Sequence, residues 1–417
     1  MSLHMLIRIK VRNFRSFRDE QEFTLEATAL KGSPDPIIET PVTLHGVLRA
    51  TAIYGANASG KTNLLRALVF MRNAVESSQT KWDPEAKIAN QPFALDAAKQ
   101  EPSLFEVDFV LDGVLYQYGF ELDSERIIQE WLYAYPAKKR QIWFQRKDSF
   151  QFGRNLPGEN QTIANLTRKN SLFLSAAAQN NHEALMPIYR WFLSIRYVGA
   201  SRDQLRNTTA RLCEDPDFRQ RLLKLISAVD MGVIGLDAKE EELDAEAKEV
   251  AEKMKSLFPS LQFPPKTTRV ALLHQASERS DGIPLLFREE SHGTQTYFSL
   301  LGPVIQTILS GGILCIDELE ASLHPLLAME VVRFFNGRER NLRGAQLIFN
   351  THDTNLLTKD LLRRDQVWFT EKDVAGCSHL YRLTDFKPRK NENLQSGYLE
   401  GRYGALPVIG AVDFLGD

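Results

Sequence analysis

A chain of 417 residues with 43% hydrophobic content is long enough for roughly two to three average domains and reads as a soluble globular protein with a sizeable core. A formal net charge of −2 excludes whole-molecule attraction to nucleic acid, so any such binding must use a local patch. Cys213, Cys315 and Cys377 are few, odd in number and far apart, which excludes a disulfide framework and a zinc spacing; with no run of about eighteen apolar residues, a membrane span and an export signal are also excluded and the cytoplasm is the expected compartment.

MLIRIKVRNF makes a natural start at Met5. Leu6–Glu26 alternates with period two (LIRIKVRNF, then EQEFTLE), predicting two half-buried strands joined by a bend at Asn13–Phe17 that carries Arg15. Arg49–Tyr54 is a short apolar strand ending at Gly55, followed by GANASGKT and a helical run over Asn63–Ala74. Leu104–Phe152 turns β again, with a hairpin at Asp112-Gly113; within it Lys138–Lys147 (KKRQIWFQRK) is the best local basic patch, and it reads more simply as an exposed strand. Asn181–Ser260 is mostly helical in pattern: Asp217–Val229 is amphipathic, and Asp237–Lys255, rich in Glu, Ala and Lys, reads as a solvated helix face or lid linker. The last part alternates, with helical Ser291–Leu309, a buried strand at Gly312–Ile316, helical Pro325–Phe335, a strand at Ala345–Asn350 and helical Asp353–Leu362. That alternation predicts a mostly parallel sheet covered by helices.

Four segments carry chemistry. In the phosphate-loop pattern Gly55–Thr62, Gly55 and Gly60 permit a tight path along which the backbone amides of Ala56, Asn57, Ala58 and Ser59 can cradle phosphate oxygens, ahead of a helix N-terminus that favours negative charge. Lys61 would neutralise the β- and γ-phosphates, Thr62 would hold Mg²⁺, and Asn63 opens the helix. ILCIDE at Ile313–Glu318 ends a buried strand in two acids: Asp317 would orient the metal, and Glu318 would polarise the attacking water. In ESHGTQ at Glu290–Gln295, Ser291 and Gly293 start a helix whose amides can approach phosphate, although Ser291 is also an ordinary helix cap. His352 of NTHD follows an apolar strand at the carboxyl end of the sheet, where an imidazole can bond a γ-phosphate.

With MLIRIKVRNFRSF at Met5–Phe17, GANASGKTN, SHGTQ, IDELEASLHP at Ile316–Pro325 and the tail GYLEGRYGALP at Gly397–Pro407, the chain resembles bacterial ATPases of the chromosome-maintenance (SMC) and RecF type, which share a split ATP-binding-cassette head. More narrowly it is similar to the compact AAA-type family of abortive-infection and anti-phage ATPases, the ATPase subunit of the PARIS defence system among them. The resemblance implies an α/β P-loop head with a mostly parallel sheet, an antiparallel β subdomain and an inserted helical lid. Residues 5–180 and 286–417 would build the head, and 181–285 the insertion. It further implies an ATP-bound, head-to-tail dimer that can assemble further, in which Ser291 and Gly293 of one copy close on the ATP of the other. A metal- and water-coupling glutamine is expected between the first two motifs, with Gln179 the first candidate and Gln91 the second, and Arg15 is expected to reach the nucleotide. The signature departs from the LSGGQ form at His292. The implied output is a separate effector such as a Toprim-like nuclease, since the residues after His352 lack the acidic clusters of such a domain. A RecF-like ATPase that clamps DNA is the competing reading.

Overall fold

A computed structural model of the protein describes residues 4–30, 36–199, 203–229, 232–242, 245–257, 266–276, 279–389 and 392–407. The chain forms two compact units. The first comprises Met1–Ala200, Thr307–Glu320 and Ala328–Asp417, and the second Ser201–Gln306 and Ala321–Leu327.

The first unit holds two large sheets. One is antiparallel, built from β1 (Met5–Arg12), β2 (Gln21–Thr24), β6 (Ser103–Leu111), β7 (Val114–Leu122), β8 (Ile127–Tyr135), β9 (Gln141–Arg146) and β10 (Phe150–Phe152) in the order β10-β9-β8-β7-β6-β1-β2. Its β6–β7 hairpin turns where Asp112-Gly113 predicts, with φ of 53° and 78°, the left-handed pair that a tight two-residue hairpin requires. β3 (Ile37–Ile38) and β4 (Val47–Leu48) form a small separate ladder.

The other sheet runs β11-β15-β16-β5-β17-β18, from β5 (Ala50–Gly55), β11 (Ile195–Val198), β15 (Ile313–Ile316), β16 (Gln346–Asn350), β17 (Val367–Lys372) and β18 (Ser378–Arg382). All of its pairings are parallel except that of the edge strand β18. Every residue of β5, β15 and β16 is buried, as expected for parallel strands covered on both faces. The predicted head thus contains its parallel sheet and antiparallel subdomain. β11 carries the first unit to Ala200, past the expected boundary at 180, because IRYV pairs in register with ILCI of β15.

Helix α1 (Lys61–Ser77) leads from β5, and its apolar side joins one core with residues of both sheets and with α3 (Phe173–Gln179) and α4 (Met186–Leu193); α2 (Asn160–Leu166) packs on α3. The buried Gln346 fixes the two sheets to each other: Oε1 accepts from Leu6 N at 2.7 Å, and Nε2 donates to the carbonyls of Leu6 (3.0 Å) and Leu48 (3.2 Å).

The second unit departs from the expected helical insertion. Besides α5 (Asp203–Leu212), α6 (Pro216–Ser227), α7 (Ala245–Leu257) and the start of α8 (His292–Ser310), it contains an antiparallel sheet of β12 (Val233–Glu242), β13 (Lys266–Ala276) and β14 (Arg279–Leu286). The Glu-rich end of β12 pairs with Lys266–Arg269, a partner more than twenty residues away that no local pattern reveals, and a bulge near Val233 breaks the period-two signal. α6 forms where predicted, with Pro216 at its first turn and Asp215 accepting from Asp217 N at 2.9 Å. α9 (Pro325–Asn336) follows the loop after β15. The helix expected over Asp353–Leu362 is instead two short turns, since Asp353 caps a single turn at Thr354–Leu356 and the Thr358 carbonyl accepts from Leu361 and Leu362. A final short helix, α10, spans Leu394–Leu399. No described helix is long and apolar enough to cross a membrane.

Candidate active site

Between β5 and α1 the loop Ala56–Gly60 turns through Ala58 at φ 61° and Gly60 at φ 115°. A side chain on Gly60 would collide with Ser378, so glycine is required by conformation and by space. β17 and β18 brace the loop from below. Ser59 Oγ lies 2.6 Å from Thr370 Oγ1, and Ser378 Oγ donates to the Ser59 carbonyl. Ser378 also lies 2.7 Å from Ser16 Oγ, which accepts from Asn63 Nδ2 at 2.7 Å.

Lys61 folds back over this loop, donating to the carbonyls of Gly55 (2.8 Å) and Ala56 (2.9 Å). Burial brings its pKa down to about 8, although the carboxylates of Glu320, Glu318 and Asp317 pull the other way. An ammonium bonded only to carbonyls is poised to move onto an anion. The sign of the pH effect follows: below pH 8 Lys61 is already charged, whereas above it a bound polyphosphate must first draw a proton onto the amine. Raising the pH from 7 to 9 should therefore weaken ATP binding about tenfold, the ratio set by one proton against that pKa. Calorimetry in buffers of different ionisation heat should register uptake of about one proton at pH 9; no uptake would show that Lys61 does not meet the phosphates.

Opposite Lys61, the carboxyl ends of β15 and β16 form a polar knot. Asp317 Oδ1 accepts from Thr62 Oγ1 at 2.8 Å and from Asn350 Nδ2, and Oδ2 accepts from Tyr197 OH at 3.1 Å. Burial, and then Asp317, push the Tyr197 hydroxyl up to about 12, so it is a fixed donor at neutral pH. Asn350 Oδ1 accepts from Glu318 N at 2.6 Å, and the Asn350 carbonyl from Leu319 N at 3.1 Å. Glu318 is held at φ 54°, a left-handed conformation uncommon for glutamate. Glu320 joins the segment that follows β16 by accepting from Thr351 Oγ1 and His352 N, both at 2.6 Å. Burial, and then the Lys61 charge, lower the His352 pKa, which favours a neutral imidazole.

The structure thus brings Gly55–Asn63, Asp317, Glu318 and His352 together. Arg15 joins them: its Nη1 donates to Asn63 Oδ1 at 3.5 Å, and its buried Nε has no hydrogen-bond partner among the described residues. Burial, and then Arg66, lower its pKa, so the local field favours an incoming anion. Gln179 is the last residue of α3, and the start of that helix is tied to the far end of α1: Leu172 N donates to Ser78 Oγ at 3.0 Å, and Ser175 Oγ accepts from Gln79 N at 3.2 Å. Of the second candidate, Gln91, the backbone carbonyl accepts from Arg15 N at 2.7 Å. Tyr197, Asn350, Thr370 and Ser378, each on a strand remote from the loop it supports, and Glu320, in the turn after β15, were not singled out in the sequence.

Ser291 and Gly293 lie in the second unit. Ser291 Oγ accepts from Thr294 N at 3.1 Å and caps α8, while His292 Nε2 lies 3.0 Å from Ser322 Oγ. A side-chain carbon on Gly293 would meet nothing closer than Ser291 Oγ at 3.8 Å. Of the basic segment Lys138–Lys147, Arg140 stacks on Tyr133 and Arg146 donates to the carbonyls of Ser171, Arg168 and Lys169, in keeping with the strand reading.

A family model described as "AAA domain, putative AbiEii toxin, Type IV TA system" matches residues 50–358. No curated protein matches the chain. Among solved structures, the SMC head domain from Thermotoga maritima is similar at 14% identity and a TM-score of 0.43, covering 90% of this chain and 98% of that one. An SMC head solved with the C-winged helix domain of ScpA is similar at 11% identity and the same TM-score, with coverage of 90% and 96%.

Proposed function

The chain belongs to the AAA domain family described as putative AbiEii toxin of type IV toxin–antitoxin systems, and from that membership we propose that it is an ATPase whose active site is completed by a second copy of itself. The observation that carries the proposal is the knot of Thr62, Asp317, Tyr197 and Asn350 at the mouth of the phosphate loop, with Glu318 one residue beyond.

A hydroxyl and a carboxylate 2.8 Å apart, both hard oxygen donors, suit Mg²⁺, which typically takes one or two protein ligands and fills its shell with water and phosphate oxygens. Thr62 and Asp317 would hold the ion, which would supply charge neutralisation on the phosphates. Lys61 swings from the carbonyls of Gly55 and Ala56 to the β- and γ-phosphates, and the loop amides with the α1 N-terminus take the remaining oxygens. Arg15 adds positive charge from the bend after β1. Glu318 accepts the proton of the attacking water, and a neutral His352 donates to the γ-phosphate.

Ser291 and Gly293 act on the ATP of the partner copy. Gly293 supports this reading, because no neighbour within its own unit requires a glycine, whereas close approach of a phosphate does. With ATP and Mg²⁺, light scattering should give Glu318→Gln about twice the 47.4 kDa of the chain, while Lys61→Ala stays at the monomer mass. Equal masses for the two variants would refute the shared site. The biological output proposed is control of a separate effector, such as a Toprim-like nuclease, in an abortive-infection module; the toxin–antitoxin wording of the family description supports the module and not the identity of the effector. Finding that cells lose phage protection with Glu318→Gln but keep it after deletion of any nuclease gene beside this one would contradict that part.

A further inference from the structure

The chemistry of the phosphate loop leaves unexplained a second group of side chains, two of them on the β17–β18 hairpin and four from the segments that follow it. Glu371, Tyr381, Asp385, Phe386, Tyr403 and Gly404 line a bowl of about 380 Å³. We propose that this bowl is a docking site for an arginine side chain presented by a partner protein, a binding role that requires none of the nucleotide chemistry above.

Three rings form its wall. Phe386 sits 5.6 Å from Tyr381 at 58° and 5.5 Å from Tyr403 at 67°, and Phe369 backs both tyrosines at 5.7 and 5.9 Å. The tail is shaped to hold them. Tyr381 OH donates to the Tyr403 carbonyl at 2.9 Å and lies 3.2 Å from Glu371 Oε2, while Tyr403 OH donates to Glu392 at 2.7 Å. Gly404 has φ 65°, and a side-chain carbon there would press on Tyr381 OH at 2.7 Å and Glu371 Oε2 at 3.1 Å. Tyr403 is buried and Phe386 is 44% exposed, so one ring of the wall is open to solvent.

Charge decides the occupant. The six lining residues carry two carboxylates and no cation. Glu371 Oε2 is engaged by Tyr381, and Asp385 Oδ2 accepts from Arg382 N at 2.9 Å, which leaves Glu371 Oε1 and Asp385 Oδ1 without a hydrogen bond among the described residues. Of the neighbouring arginines, Arg402 pairs with Glu392 and Glu400, and Arg382 donates to the carbonyls of Asp365 and Glu26 while its charge also reaches Asp385, so Glu371 is the carboxylate for which no arginine partner is seen among the described residues. Carboxylates repel nucleic-acid phosphate, and ring faces attract cations. A guanidinium satisfies both features, stacking its plane on Phe386 while its fork meets the carboxylates, which a compact ammonium does less well.

The test uses the full chain labelled with 3-fluorotyrosine, with the Tyr381 and Tyr403 resonances assigned from Tyr381→Phe and Tyr403→Phe. Acetyl-Gly-Arg-Gly-amide should shift both resonances saturably, and the same peptide with citrulline should not. Glu371→Gln with Asp385→Asn, or Phe386→Ala alone, should weaken the peptide at least fivefold, while fluorescent ATP binding is retained and shows the variants to be folded. Equal shifts from the citrulline peptide, or unchanged affinity in the double variant, would overturn the proposal. So would self-association, seen by light scattering without peptide and abolished by Phe386→Ala, since the occupant would then be a second copy. None of these outcomes depends on whether the chain hydrolyses ATP.

Discussion

Replacing Glu318 by Gln is expected to lower ATP turnover by about 10²–10⁴-fold, the contribution of a positioned general base, while ATP binding changes little. The argument rests on placement. Asp317 is committed to Thr62, Asn350 and Tyr197, so its carboxylate is an anchor with no freedom to take a proton from water. The next residue is turned out of the strand by a φ of 54°, with its amide pinned at 2.6 Å to Asn350 Oδ1. A left-handed glutamate is strained by roughly 1–3 kcal/mol, and such strain persists where the surrounding structure needs the side chain in one direction. Gln keeps the size and the backbone preference and removes only the basicity. Single-turnover measurement with radiolabelled ATP separates chemistry from product release. If the Gln variant cleaves ATP within threefold of the parent chain, Glu318 is not the base. The same experiment with His352→Ala distinguishes a group that contacts the γ-phosphate, which should lose both affinity and rate.

What the sequence disclosed divides by distance along the chain. The phosphate loop was legible because its glycines, Lys61 and Thr62 lie within eight residues and each answers a local demand of backbone or charge. Asp317 and Glu318 were legible for the same reason, at the end of an apolar run that could only be a buried strand. The knot around them was not: Tyr197 sits on a four-residue strand with no pattern of its own, and its meeting with Asp317 follows from the parallel register of β11 and β15. Local pattern does not choose between Gln179 and Gln91: an apolar stretch ending in Gln fits the spacing of a coupling loop, yet the start of α3 is tied to the far end of α1 by Ser78 and Ser175, and it is the Gln91 carbonyl that meets Arg15 N. The sheet of the second unit was hidden in a Glu-rich segment that reads as helix until its partner strand is known.

The residue whose loss should be felt most widely is therefore one that the motif lends no chemistry of its own. Asn350→Ala is expected to cost about 2–4 kcal/mol in stability, since it leaves the Glu318 amide and the Asp317 carboxylate short of partners in a buried setting. For a unit of this size that corresponds to a fall in Tm of roughly 3–6 °C. Turnover should fall further than stability alone explains, because the amide that orients Glu318 is released. Asn350→Asp sharpens the point: it preserves volume but sets a second carboxylate against Asp317, so two like charges share one site. At neutral pH it should be less stable than Asn350→Ala, and it should recover as the pH falls and one of the two acids takes up a proton. Thermal unfolding followed from pH 8 to pH 5 gives the measure. If Asn350→Asp unfolds at the parent temperature at pH 8, the side chain of Asn350 does not face Asp317 as the knot requires, and the placement of Glu318 would need another source.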